Sequence, residues 1–236
     1  MNTTAKRPNI LFITTDQQRW DTIAALGNKY IRTPNLDRLV KNGVSFNRTY
    51  CQCPVCQPSR ASFMSGLYPH FLHVLTNEHE FFPDNSLLMS RRLADSGYTC
   101  GLSGKLHVGC AMTDGREDIS KEYGFTYYKY VHSPMEGRNR RNDYYEWLRA
   151  QGVEPDDIFY LNERGRNYGY KESMKPEYHA THWCVSEGIN FIEQQQGAEK
   201  PWFLCVNIFD PHPAYEAMPE YLALYNPELL GRIPSL

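Results

Sequence analysis

The stretch Asn9-Ile-Leu-Phe-Ile-Thr-Thr15, closed by Asp16, is a compact run of aliphatic, aromatic and β-branched residues. It reads as a strand buried on both faces, with a functional group at its carboxyl end. Further along, Thr33-Pro34 offers an N-cap and a proline at N1, Leu36, Leu39 and Val40 recur at helical spacing, and Gly43 suits the residue that ends a helix. These signals predict a short amphipathic helix over 34–42. Residues 44–50 are a second strand candidate, interrupted by Asn47 and Arg48. Residues 86–96 predict a helix stopped by Gly97, and 98–103 a strand. Residues 179–195 form the longest predicted helix and feed the apolar run Trp202-Phe-Leu-Cys-Val-Asn-Ile-Phe209. Strand and helix alternate, which implies an α/β fold with a mainly parallel central sheet flanked by helices. Residues 111–178 hold ten of the 17 tyrosines and no sustained periodicity beyond a short helix near 143–150. They read as an elaborated loop region, either a solvated insertion or a wall of a substrate cleft.

Composition narrows the function classes. The 236 residues carry 25 Lys+Arg against 27 Asp+Glu, so there is no large basic surface for nucleic acid. No apolar run approaches the ~18 residues a membrane-spanning helix needs. The polar opening Met1 to Pro8 and the early Asp16 do not build a signal peptide, which makes the cytoplasm the expected address. Seven cysteines, an odd number with two in strand-like apolar runs, argue against a secreted disulfide framework. Length alone leaves one large domain or two small ones open.

The densest constellation is Cys51-Gln-Cys-Pro-Val-Cys-Gln-Pro-Ser-Arg60. As a metal knuckle it offers three thiolates and no fourth Cys or His nearby, whereas a structural zinc site takes four ligands. As a redox pair, Cys53-Pro-Val-Cys56 has CxxC spacing without the flanking strand and helix of a thioredoxin-like site. On a third reading, Cys56-Gln-Pro-Ser-Arg60 with Ala-Ser-Phe-Met-Ser-Gly66 resembles the Cys-x-Pro-Ser-Arg signature of the sulfatase family, Met64-Ser65-Gly66 standing where that family usually carries Leu-Thr-Gly. Further elements follow in family order. Asp16 ends a strand, Gly104-Lys-Leu-His107 resembles the Gly-Lys-Trp-His element, and Asp210-Pro-His-Pro213 resembles the Pro-His-x-Pro element.

The resemblance implies an alkaline-phosphatase-like fold and hydrolysis of a small-molecule or carbohydrate sulfate monoester. It implies that a maturation enzyme oxidises Cys56 to formylglycine, whose hydrate attacks sulfur with one hydroxyl and expels sulfate by loss of the other's proton. Pro58 can start a helix that sets residue 56 just ahead of its anion-binding N-terminus. Asp16, Gln17 and residue 56 are the implied metal ligands, for Ca²⁺ first and Mn²⁺ or Mg²⁺ as alternatives. Gln17 departs from the usual Asp-Asp pair and resembles the Asp-Gln of choline-sulfatase-like and phosphonate-monoesterase-like branches. Arg60 is implied to steady the hydrated aldehyde, Lys105 to neutralise a sulfate oxygen, His107 to hold or deprotonate a geminal hydroxyl, and His212 to donate to sulfate or the leaving oxygen. Asn77, 21 residues after Cys56, resembles a substrate-binding Asn of the same branches. The Lys105-x-His107 pair, which the phosphonate monoesterases lack, favours sulfate. Lys105 and His107 are expected to face the cleft with little part in stability.

The family's later Asp with His or Asn, and a second Lys, are not found in the 24 residues after His212. The chain is therefore expected to be the N-terminal part of a sulfatase catalytic domain, C-terminally incomplete and inactive alone. The alternatives are a phosphonate or phosphate ester hydrolase on the same fold and a non-catalytic or thiol-redox fragment pairing Cys53 with Cys56.

Overall fold

β1 (Ile10–Thr15) lies beside β6 (Trp202–Ile208), β6 beside β2 (Thr99–Gly104), and β2 beside β3 (Tyr127–Tyr130), so that one sheet has the order β1-β6-β2-β3. All three pairings are parallel. The computed structural model describes residues 7–135, 141–161, 167–215 and 217–230. The expected mainly parallel α/β sheet is present, and its central strand β6 is the apolar run that buries both faces.

β6 shows how the core divides. Phe203 and Cys205 join one apolar cluster with Cys100 and Leu102 of β2, and Ala61 and Met64 of α2 (Cys56–Ser65). Leu204 and Val206 point the other way, into a second cluster with Trp183, Cys184 and Phe191 of the Ala180–Gln194 helix. Gly101 of β2 lets that helix close in, since a Cβ there would sit 2.8 Å from the Phe191 ring.

Several expectations need correction. β1 is an edge strand, with Ile10 and Phe12 packed on the first cluster but Leu11 and Ile13 47% and 55% exposed on the other face. The Ala180–Gln194 helix packs on β6, β2 and β3, and nothing among the described residues covers this face of β1. Residues 44–50 form no strand, and Val44, Phe46 and Tyr50 are each at least 80% exposed, because no neighbouring strand offers a ladder. α1 (Pro34–Asn42) forms as expected, but Gly43 is extended (φ −124°) rather than left-handed. The Thr33 hydroxyl bonds Asp37 instead of capping the helix. Within 111–178 lie β3, a helix at Asp143–Ala150 and a hairpin of β4 (Phe159–Leu161) with β5 (Asn167–Tyr170). Tyr144, Tyr145 and Phe159 from this region are buried in the second cluster.

Candidate active site

Parallel strands bring their carboxyl ends to one edge of the sheet, where open α/β sheets bind ligands. Asp16 follows β1, Lys105 follows β2 and His212 lies just beyond β6. Gly104 allows the crossing. It adopts φ 98°, and a Cβ there would fall 2.1 Å from the Asn207 carbonyl oxygen. That approach lets the Lys105 N–H donate to the same carbonyl at 3.0 Å, fixing where the lysine leaves the sheet. α2 begins at Cys56 itself, with Val55 as N-cap, two residues earlier than a helix started by Pro58. Residue 56 thus sits on the first turn, among N–H groups without intrahelical partners.

The side chains converge on Asp16. Its Oδ2 is 2.7 Å from Lys105 Nζ and 3.2 Å from Arg60 Nη2, and its Oδ1 is 3.7 Å from Cys56 Sγ. Asp16, Lys105 and Arg60 are 6%, 2% and 4% exposed, so the trio is withdrawn from water. Arg60 also donates to the carbonyls of Lys105 (2.7 Å) and Leu106 (3.4 Å), tying α2 to the loop after β2. The Lys105 ammonium lies 5.2 Å from the centre of the Phe209 ring. Burial raises the Asp16 carboxyl, but Lys105 and Arg60 together outweigh it and hold the group below its ordinary value. For Lys105, burial and the nearby Arg60 charge pull the ammonium down while Asp16 opposes them. Two cations against one carboxylate leave the cluster net positive, suited to an anion.

His107 is buried with a left-handed backbone (φ 56°), and its Nδ1 has no hydrogen-bond partner. Its ring meets His132 edge-on at 4.4 Å. Burial, with His132, Lys105 and Arg60 around it, holds the imidazole far below its ordinary pKa, so it is neutral. Gln17, His107 and Tyr215, three of the five non-glycine residues at positive φ among the described residues, adjoin or belong to this site, where such strain is commonly stored. His212 stacks on Phe209 at 4.5 Å and bonds the Pro213 carbonyl through Nδ1 at 2.8 Å.

The structure thus brings together Asp16, Cys56, Arg60, Lys105, His107 and His212. Lys105 and His107 are buried, contrary to an expectation of little structural role. Gln17 is exposed beside Asp16. Asn77 is exposed, and its Oδ1 accepts the Gln57 N–H at 3.0 Å, so that oxygen caps α2 one residue after Cys56. Sequence reading gave no role to Gln57 and Phe209, which lie within or beside its motifs, and passed over His132 and Asp114, which meet the site only through the fold. The cysteines are all free, and among the described residues Cys51 and Cys53 join no metal-ligand cluster. Ligand atoms of Asp16, Cys56 and His212 do lie within 4.8 Å of one another. A carboxylate oxygen and an imidazole nitrogen fit part of the shell of a divalent cation, whereas the Cys56 thiol is a soft donor that a hard cation does not favour.

Fold and site together define an alkaline-phosphatase-like α/β protein. A sulfatase family model matches residues 8–228, and the chain belongs to the sulfatase family. It is 27% identical over 233 residues to an arylsulfatase of Clostridium perfringens, covering 94% of this chain and 47% of that one. It is 27% identical over 224 residues to an N-acetylglucosamine-6-O-sulfatase of Bacteroides thetaiotaomicron, covering 94% of this chain and 34% of that one. The solved structure of Ps i-CgsB superposes with a TM-score of 0.70 at 27% identity, over 96% of this chain and 50% of that one. A phosphonate monoester hydrolase of Agrobacterium radiobacter shares the fold, with a TM-score of 0.67 at 23% identity over 94% of this chain and 44% of that one. The chain spans about half the length, or less, of these relatives.

Proposed function

We propose that this chain carries the nucleophile and the anion-binding half of a sulfuric ester hydrolase acting on a small-molecule or carbohydrate sulfate monoester. The observation that carries the reading is Cys56, on the first turn of α2 and 3.7 Å from a carboxylate that Lys105 and Arg60 hold in place. Cys56 is read as the substrate of a formylglycine-generating maturation enzyme. Formylglycine at position 56 supplies an oxygen nucleophile in place of the thiol, and a bound divalent cation, Ca²⁺ by preference, withdraws charge from the sulfate oxygens.

The chain's own residues do the rest. Asp16, Gln17 and residue 56 would hold the cation. The positive end of α2 and the net positive charge of Lys105, Arg60 and Asp16 draw the sulfate group in. Lys105 is buried, so its charge acts on a sulfate oxygen with little screening by water. His107, neutral and with Nδ1 unpartnered, would hold a hydroxyl of residue 56 by accepting its hydrogen bond. His212, half-buried at the edge of the site, would give a proton to the leaving oxygen. A hard cation takes six or more oxygens, more than Asp16, Gln17 and residue 56 supply, so full metal affinity needs donors beyond these.

The names of the two curated relatives support aryl and amino-sugar sulfates as first substrates. The test is hydrolysis by the matured protein of an aryl sulfate, 6-O-sulfated N-acetylglucosamine and an aryl phosphonate monoester. Sulfate turnover that disappears in Cys56→Ala is expected. Faster turnover of the phosphonate would move the assignment to the phosphonate and phosphate esterases.

A further inference from the structure

The loop after β2 carries both Lys105 and His107, and its backbone is held at almost every polar group. Asn207 fixes the Lys105 N–H, Arg60 the carbonyls of Lys105 and Leu106, and Gln57 Nε2 the Val108 carbonyl at 3.1 Å. The N–H groups of Val108 and Gly109 end on a single side chain. Asp114, with no exposure at all, accepts from the Val108 N–H through Oδ2 at 3.0 Å and from the Gly109 N–H through Oδ1 at 2.9 Å. Its Oδ1 also accepts from the Tyr123 hydroxyl at 3.2 Å, and the Tyr128 hydroxyl donates to its carbonyl at 2.7 Å. Gly109 is required by this contact, because a Cβ there would lie 2.8 Å from Asp114 Oδ1.

We propose that Asp114 is a positioning residue for the reaction, its carboxylate clamping the two N–H groups that follow His107 and so fixing the angle at which the imidazole enters the site. His107 needs such a clamp. A histidine at φ 56° is in a sparsely populated conformation that persists only where the surroundings over-determine it, and here the two N–H groups on its carboxyl side are both held by one buried carboxylate. Asparagine at 114 offers one oxygen and an NH₂ group, so one of the two N–H groups would face a donor. The inference rests on reading His107 as the group that holds the hydroxyl of residue 56.

The test uses the full-length, matured and metal-loaded protein. Asp114→Asn is expected to lower kcat for an aryl sulfate by about 10- to 100-fold, the scale of a misplacement near 1 Å, while KM moves less than about threefold. Independently of turnover, the amide exchange of Val108 and Gly109 should quicken by at least about tenfold under native conditions, and the His107 ring resonances should shift. Tyr123→Phe removes one donor to the carboxylate and should move the same readouts less; it decides the matter should Asp114→Asn fail to fold. A variant with lower stability but unchanged kcat and unchanged His107 resonances would overturn the proposal. Absence of sulfate turnover in the parent protein would instead sink the sulfatase reading, leaving the exchange and resonance measurements to judge Asp114.

Discussion

Replacing Asp16 by Asn removes the one negative charge in a buried trio. The carboxylate accepts from Lys105 Nζ at 2.7 Å and from Arg60 Nη2 at 3.2 Å, and all three side chains are at most 6% exposed. Breaking one partner out of a buried ion pair costs about 3–5 kcal/mol, because the orphaned charge has neither water nor a counter-ion. Two features of the site push toward the lower end. Arg60 keeps the Lys105 and Leu106 carbonyls as acceptors, and Lys105, already pulled down by burial, can shed its proton. About 3 kcal/mol is therefore the expected loss at neutral pH in metal-free protein, read from urea midpoints at constant m-value. Lys105→Met alone should cost less, since Asp16 retains Arg60. The double variant Asp16→Asn with Lys105→Met should cost less than the sum of the two, by at least about 1 kcal/mol, because it removes charge and counter-charge together. Strict additivity, or a loss under about 1 kcal/mol for Asp16→Asn, would refute the claim that this cluster is an electrostatic unit.

Lys105→Ala should lower kcat/KM for a sulfate ester by about 10²- to 10³-fold, as for a lost preorganised donor, and should also lower the melting temperature; an unchanged kcat/KM would remove it from the site. Cys56→Ser should give at most one turnover per molecule in a burst assay, because a serine ester has no second oxygen with which to expel sulfate; turnover at the parental rate would contradict the aldehyde mechanism. Burial pushes the Asp114 carboxyl up to about 7 against the pull of the Gly109 N–H, the Tyr123 hydroxyl and the Val108 N–H. The folded state then keeps a proton that the unfolded chain has lost, so stability should fall as pH rises from about 4 to about 7 and level off above that. Asp114→Asn should flatten that slope, and parallel urea profiles for the two proteins would contradict the shift.

How much of this was legible in the sequence follows from where the information lies. β1, β2 and β6 are apolar runs closed by Asp16, Gly104 and Asp210, so their own composition marks them. β3, Tyr-Tyr-Lys-Tyr, is too short and polar to stand out from the tyrosine-rich stretch around it, and Tyr128 and Tyr130 are buried only through partners such as Asp114, whose carbonyl takes the Tyr128 hydroxyl. Residues 44–50 misled for the opposite reason: β-rich composition without a neighbouring strand makes no ladder. That β1 is an edge is likewise a property of its neighbours. The motif residues of the site were readable because chemistry constrains their type. The Asp16 to Lys105 ion pair, 89 residues apart in sequence, and the His107 to His132 contact were not, since no local spacing encodes them. Asp114 lies only seven residues after His107, yet nothing in composition separates it from an ordinary loop acid.

The most direct test of the central claim is the mass of the peptide bearing residue 56, taken from protein produced together with a formylglycine-generating enzyme and compared with sulfate turnover in the same preparations. The fraction carrying the aldehyde should rise and fall with turnover, and preparations holding only the Cys56 thiol should be inactive. Full turnover from protein whose residue 56 is entirely thiol, or is bridged to Cys53, would contradict it.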